Sequence, residues 1–533
     1  FSASVGPPMH HALSIPEILQ LVLSSGVCRA TMRNAALTCT LWKDAALDEL
    51  WKDLDSVFPL IWVLVRLEIE QTADTRFPLP SNWSRLGTYV RRVRTLVFDV
   101  FPPAGRAIAL KTLQTVAQLR PPGRGLLPNL RKFTYIPRDL PEVDTVSQFL
   151  VFLGPSIVEL KLVHVASSAV PALLEYVAQW TPQVQRVQIE DHFQKSYDGS
   201  SAFASSLLKL KKLTSLEAEV ISLTPVVWDA MARHSSLLSA RVLFLSSLDS
   251  VAAFQPRVFA KLASLTIRAK FDRLCGLFGS QNDLPTLTRV SLTGPSVPQA
   301  RSDFRRLCEL LVQKLPNLAC VEVAFCWTPA LDGVPLGFKD FRPLLQCNKL
   351  QRVQLGHSCG VSVTAGEVSE LLDAWPGIQA LALQYTREVA GLKAISNWTP
   401  PTLPLRVLDT VAAKAPNIKK LGLILDASTP IGSAPSTCRW KFECLQELNV
   451  TLSTVGQPGN VASYLAQRCR KRFSVRFVPP ALVDGIAMQE ITEEKAKWDQ
   501  VEEHLRLLFD QKERLEDEFE MRLEEERAKY IRE

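Results

Sequence analysis

One spacing constrains this 533-residue chain more than any other feature. Apolar side chains recur as apolar-x-x-apolar-x-apolar, first at Val93, Leu96 and Phe98, then at Leu130, Phe133 and Tyr135. Further copies start at Ile157, Val184, Leu213, Leu237, Leu262, Leu287, Leu318, Leu350, Ile378, Ile418 and Leu445, and a degenerate copy holds Val475 and Phe477. Most intervals run from 24 to 32 residues. Several copies are introduced by a proline phrase: LPNL at 127, LPTL at 284, LPNL at 315 and APNI at 415. Proline ends a preceding helix, and a strand entered from that turn points alternate residues inward. Between copies lie stretches with helical apolar spacing, such as VPALLEYVAQW, SDFRRLCELLVQKL and AGEVSELLDAW.

This period is the leucine-rich-repeat range. Three buried strand residues do not offset the entropy of ordering a whole unit, so each unit needs its neighbours. The expected fold class is α/β: an irregular leucine-rich-repeat solenoid of short parallel strands and helices over 89–480. The Asn or Cys usual after the strand is mostly missing, with Cys326 the one match, so the turns need other hydrogen-bond partners. The long interval from Ile378 to Ile418, containing NWTPPTLPL, predicts an excursion.

Ahead of the repeats, Leu13 to Leu54 reads as three short helices. Ser14 and Glu17 form a capping box, and Pro16 sits where a missing N–H costs nothing. Ile15, Ile18, Leu19, Val22 and Leu23 share one stripe; Met32, Ala35, Ala36 and Cys39 a second; Leu47, Leu50, Trp51 and Leu54 a third, headed by Trp42. So short a segment does not bury that much apolar surface alone. Either the rest of the chain covers it, as an ordinary helical cap, or another protein does.

The residues I-P-E-I-L at 15–19, Cys39 with Trp42, and Leu50-Trp51 resemble the F-box. The resemblance covers about forty residues (13–55). It departs at Ser24-Ser25-Gly26, where a further apolar residue is common. It implies binding to the Skp adaptor of a cullin-based (SCF) ubiquitin ligase, with Ile15, Pro16, Ile18, Leu19, Val22, Leu37 and Trp42 in or just under the interface. Partners would then be the Skp adaptor, the cullin scaffold and a target protein on the repeats. Strand alternation offers Arg186 and Gln188, Arg289 and Ser291, Arg352 and Gln354, and Glu447 and Asn449 as target-facing pairs. A leucine-rich-repeat scaffold without a ubiquitin role stays open.

Residues 56–88 read as a linker. Residues 489–533 read as one amphipathic helix through Ile491, Trp498, Val501, Leu505, Leu508, Leu515 and Phe519, with Lys512 and Arg522 breaking the seam. A dimer through this helix and a single helix docked or free are both open. The segment carries 16 acidic and 9 basic residues, so the net charge of +7 hides about +14 elsewhere. That mild density permits acidic partners without demanding nucleic acid.

No phosphate-binding loop, dinucleotide fingerprint, zinc-protease motif or nucleophile elbow occurs, and His357 with Cys359 lacks further ligands. No catalytic residue, metal or cofactor is therefore expected, and the chain reads as a non-enzyme. Eleven scattered cysteines, no apolar run long enough for a bilayer and no secretory start fit the cytosol or nucleus.

Overall fold

A computed structural model describes residues 15–65, 86–99, 125–137, 142–166, 168–190, 200–243, 255–281, 283–294, 299–325, 334–385, 401–429, 440–477 and 485–532. The chain divides into two compact units. Unit one holds residues 1–246 and 259–261; unit two holds 247–258 and 262–533.

Unit one opens with helices α1 (Pro16–Ser24), α2 (Arg29–Thr38) and α3 (Thr40–Lys52). Pro16 takes the first helical position, and Ile15 is the N-cap, without a side-chain cap. Leu13 and Ser14, including the capping-box serine, lie outside the described residues. Ser25 N–H bonds back to the Val22 carbonyl, and Gly26 takes a φ of +92°, a conformation a β-carbon resists. The Ser-Ser-Gly departure after α1 is thus a helix stop. Leu19, Leu23, Ala35 and Ala46 form the head's small core, with Ala36, Trp42 and Ala45 packed on it.

The parallel ladder begins directly after α3. Strand β1 (Asp53–Leu54) pairs with β2 (Thr95–Asp99), and Arg94 N–H donates to the Lys52 carbonyl at 2.8 Å. It starts ahead of residue 89 because the last turn of α3 runs straight into the first strand. Within 56–88, Phe58–Val65 is helical with Leu60 and Ile61 buried. Then come β3 (Lys132–Ile136), β4 (Glu159–Val163), β5 (Arg186–Glu190), β6 (Ser215–Ser222) and β7 (Ser239–Leu243), each parallel to its predecessor. Unit two continues the pattern with β8 (Ser264–Arg268), β9 (Arg289–Thr293), β10 (Cys320–Phe325), β11 (Arg352–His357), β12 (Ala380–Tyr385), β13 (Lys420–Gly422), β14 (Glu447–Asn449) and β15 (Ser474–Arg476). This is the expected leucine-rich-repeat class, with helices such as Val170–Trp180, Arg301–Lys314 and Ala365–Ala374 behind the strands.

The repeat residues named above are all buried, from Val93 and Leu96 to Leu448 and Val475. They stack in register, for example Leu96 on Phe133 and Val353 on Leu381. The backbone uses both lone pairs of one carbonyl per repeat. Arg94 O accepts from Arg131 and Lys132 N–H at 2.7 and 3.0 Å, and Gln351 O from Gln379 and Ala380 N–H at the same distances.

The substitute for the missing polar position lies in the turn before the strand, which carries a proline in three of the four cases. Asn129 Nδ2 donates to Arg91 O (2.7 Å), Ser156 Oγ to Pro128 O (2.6 Å), Ser236 Oγ to Lys211 O (2.9 Å) and Asn317 Nδ2 to Pro285 O (2.9 Å). Each ties one turn to the turn before it. Cys326 lies outside the described residues, and NWTPPTLPL is described only from Pro401.

The C-terminal helix (Gly485–Arg532) closes unit two. Ile491, Trp498, Val501, Leu505 and Phe509 are buried on its inner side, against the helix Pro458–Arg468 and β15. Phe509 was not in the expected stripe. Trp498 Nε1 donates to the Ser453 carbonyl (3.0 Å), and a Glu494 carboxylate oxygen accepts the Val455 N–H (2.6 Å). Beyond Lys512 the burial stops: Leu515 is 58% and Phe519 63% exposed. Burial thus ends where Lys512 breaks the seam, and the first part of the stripe covers the last repeat. Among the described residues, no helix is long and apolar enough to cross a membrane.

His357 is fully buried at the end of β11. Its Nδ1 accepts the Cys359 N–H at 3.1 Å, and its ring stands edge-on to Phe325. Among the described residues no His/Cys/Asp/Glu cluster could hold a metal.

Two predictions follow from this packing. Trp498→Ala removes a buried ring and its hydrogen bond and lowers stability by about 3–5 kcal/mol in urea unfolding, whereas truncation after Lys512 changes it by under ~0.5 kcal/mol. Burial lowers the His357 pKa from 6.5 to about 3. The unfolded chain then binds the proton first, so stability is full above pH 6.5 and falls as pH drops toward 3. The loss from this residue is about 2 kcal/mol between pH 7 and 5. His357→Phe shrinks that slope in unfolding curves; His234, also lowered by burial, leaves a remainder.

Candidate interaction surfaces

On the head, helical geometry sorts the first stripe into two faces. Leu19 and Leu23 turn inward, at 1% and 4% exposure. Ile18 and Val22 sit on the outer flank at 37% and 44%, and Leu21 at 71%. Pro16 and Glu17 are exposed and Ile15 is half-buried. Leu37 near the end of α2 is 76% exposed, and Leu41, four residues on, is also exposed. Trp42 is half-buried against the head core; its indole N–H is shielded and makes no hydrogen bond among the described residues. Thus Leu19 and Trp42 lie under the outer face. Leu21 and Leu41, which the stripe pattern missed, lie on it.

The body grips another part of the head. Arg92, in the turn before β2, pairs with Asp44 (2.7 Å) and Asp48 of α3, and Trp51 packs on Tyr89 at 4.4 Å. The Arg29 guanidinium donates to the Asp53 carbonyl at 2.9 Å. These contacts use α3 and the start of α2 and leave the outer flank of α1 bare. Five of the sixteen large apolar side chains exposed among the described residues fall between Ile18 and Leu41. Five more fall between Leu507 and Leu523 on the C-terminal helix; scattered singles are ordinary on a protein surface, and these two concentrations are not.

The second surface is the outward side of the strands, where the target-facing candidates fall in two settings. In unit one, Arg186 pairs with Glu159 at 2.7 Å, and the Gln188 amide donates to Glu190. Those groups are already engaged. In unit two, register lines up Arg289, Cys320, Arg352, Ala380, Lys420 and Glu447 as one row. The next outward row runs Ser291, Glu322, Gln354, Ala382, Gly422 and Asn449. Ala380, Ala382 and Gly422 form the floor of a shallow open depression, with Arg352, Gln354, Lys420, Glu447 and Asn449 around it. A β-carbon at Gly422 would meet Gln384 Oε1 at 2.6 Å and the Ala382 β-carbon at 3.2 Å, so a larger residue there would push the Gln384 side chain aside and raise the floor. Sequence reading named Arg352, Gln354, Glu447 and Asn449 of the rim and missed Lys420 and the floor. The signal was there, as small residues at outward strand positions, but becomes a surface only once neighbouring strands are in register.

No protein-family profile matches the chain, and no curated protein sequence matches it. Solved structures similar to it include the yeast complex of Rad7 and Elc1 (12% identity, 88% of this chain and 89% of that one, TM-score 0.28). The mouse RP105/MD-1 complex gives 14% identity, 75% and 70% coverage and a TM-score of 0.31. The leucine-rich-repeat-containing protein LegL7 from Legionella pneumophila gives 10%, 75% and 97%, and 0.29.

The two faces of α1 separate in unfolding experiments. Leu19→Ala is expected to cost about 2–5 kcal/mol, while Leu21→Asp and Leu37→Asp shift stability by no more than ~0.5 kcal/mol. Circular dichroism during urea titration reads the difference.

Proposed function

We propose that the chain is a non-catalytic adaptor that recruits a target protein to an SCF-type cullin ubiquitin ligase. The head docks on the Skp adaptor through Ile15, Pro16, Ile18, Val22 and Leu37, with Leu19 and Trp42 supporting them from below. The strand face of unit two holds the target. Rate enhancement then comes from tethering: a lysine kept near a charged ubiquitin carrier reacts at a raised effective concentration. A cytosolic or nuclear site of action goes with this role.

The observation that carries the reading is the apolar flank of α1 and α2, with Ile18, Leu21, Val22 and Leu37 exposed on a head that, among the described residues, is gripped through Asp44, Asp48 and Trp51. Desolvating such a cluster is how an interface core gains affinity. The runner-up is a repeat scaffold with no ubiquitin role; the six-strand polar face of unit two would serve either.

Purified Skp adaptor is expected to bind the full chain in a pull-down, and Ile18→Asp with Leu37→Asp to weaken binding by about 2 kcal/mol or more at unchanged melting temperature. Failure of the wild-type chain to bind removes the adaptor reading. Binding of the Skp adaptor without co-purification of cullin favours the scaffold.

A further inference from the structure

The two strand faces handle charge differently. In unit one, carboxylates and cations neutralise each other across strands: Lys132 and Arg186 on Glu159 (2.9 and 2.7 Å), Lys161 on Glu190 (2.8 Å), and Arg241 near Glu217 and Glu219. In unit two, Arg268, Arg289, Arg352, Lys419, Lys420 and Arg476 share one side with only Glu322 and Glu447 among the described residues. Lys420 and Arg476 divide Glu447 between them at 3.3 and 3.5 Å, and Arg352 reaches Glu322 only at 3.8 Å. Arg268, Arg289 and Lys419 form no ion pair among the described residues.

The cations are also evenly placed. Arg289, Arg352 and Lys420 occupy one register row on β9, β11 and β13, with Cys320 and Ala380 between them. Burial, with Glu322 beside it, pushes the Cys320 thiol up to about 11, so it stays uncharged between two arginines. Strands lie about 4.8 Å apart, so the cations follow one another at roughly 10 Å. A polyproline-type extended segment repeats its facing side chain every third residue, about 9.3 Å along. Such a segment leaves its backbone unbonded, and Gln351 and Gln379 stand exposed beside the row to bond it. A single phosphate calls for cations converging on one point; a line of separated cations suits a line of carboxylates.

We infer that the strand face of unit two binds an unmodified acidic segment of a partner protein, with Asp or Glu at every third position, lying across β9 to β13 with its carboxylates on Arg289, Arg352 and Lys420. This rests on the adaptor reading only in naming the segment as part of a target; the contact itself does not need the head.

The test titrates the full chain into a fluorescein-labelled, end-capped peptide carrying Glu at every third position, read by anisotropy. Saturable binding that weakens with added salt is expected, with roughly tenfold loss for Arg352→Glu and a smaller loss for Arg352→Gln. Arg186→Glu in unit one and Ile18→Asp in the head leave it unchanged, and the Gln-for-Glu peptide does not bind. Melting curves of both Arg352 variants check folding. No binding of the Glu peptide, equal binding by folded Arg352→Glu, or binding of only a phosphoserine peptide or a uridine oligonucleotide overturns the inference. A pull-down with Skp adaptor on the same sample separates the two readings: adaptor bound with peptide unbound sinks only this inference, and the reverse sinks only the adaptor.

Discussion

The structure depends on strands that do not hide their own apolar side chains. A leucine at the centre of β11, Leu355, is buried only because Val323 and Leu383 lie on either side of it in register. The paired N–H groups that each pre-strand carbonyl accepts fix that register, so backbone bonding and side-chain burial fail or succeed together. Stability is thus a property of neighbours, and any strand without a neighbour is a weak place.

The two chain ends meet that problem differently. The head is continuous with β1, and Arg92 clamps α3 through two aspartates. That arrangement covers one side of the head and commits none of the outer flank of α1. At the other end, Trp498, Val501, Leu505 and Phe509 lie over the last repeat, and Glu494 occupies a backbone N–H that would otherwise need another partner. Both devices close a strand stack. Both also leave apolar side chains exposed: Ile18, Leu21, Val22, Leu37 and Leu41 on the head, and Leu507, Leu515, Phe519, Met521 and Leu523 on the C-terminal helix.

Charge divides the strand faces in the same manner. Cross-strand pairs in unit one use up the charges that alternation places outward, so Arg186 and Gln188 are occupied by their neighbours. In unit two, small residues separate the cations on alternate strands, and cations outnumber carboxylates: Arg289 forms no ion pair among the described residues, Lys420 shares Glu447 with Arg476, and Arg352 reaches Glu322 at 3.8 Å. The low floor at Ala380, Ala382 and Gly422 gives an outside occupant room.

Much of this was legible in the sequence, because the repeat period and the proline turns are local. Val93 through Val475 were assignable to the core by spacing, and a helix over 489–533 by its apolar stripe, which the structure bounds at Gly485–Arg532. Other features depend on partners far apart along the chain. The sequence did not reveal that Asn129, Ser156 and Asn317 replace the missing polar ladder, that β1 starts at Asp53, or that the C-terminal helix buries its stripe only ahead of Lys512. Each depends on which distant backbone group or side chain arrives beside it. What the amino-acid order determined by itself was which side chains must be buried, since periodicity fixes the inward face of a strand or helix. What only the tertiary structure decided was which exposed groups are left without a mate, since that depends on neighbours thirty residues away in the chain and one strand away in space.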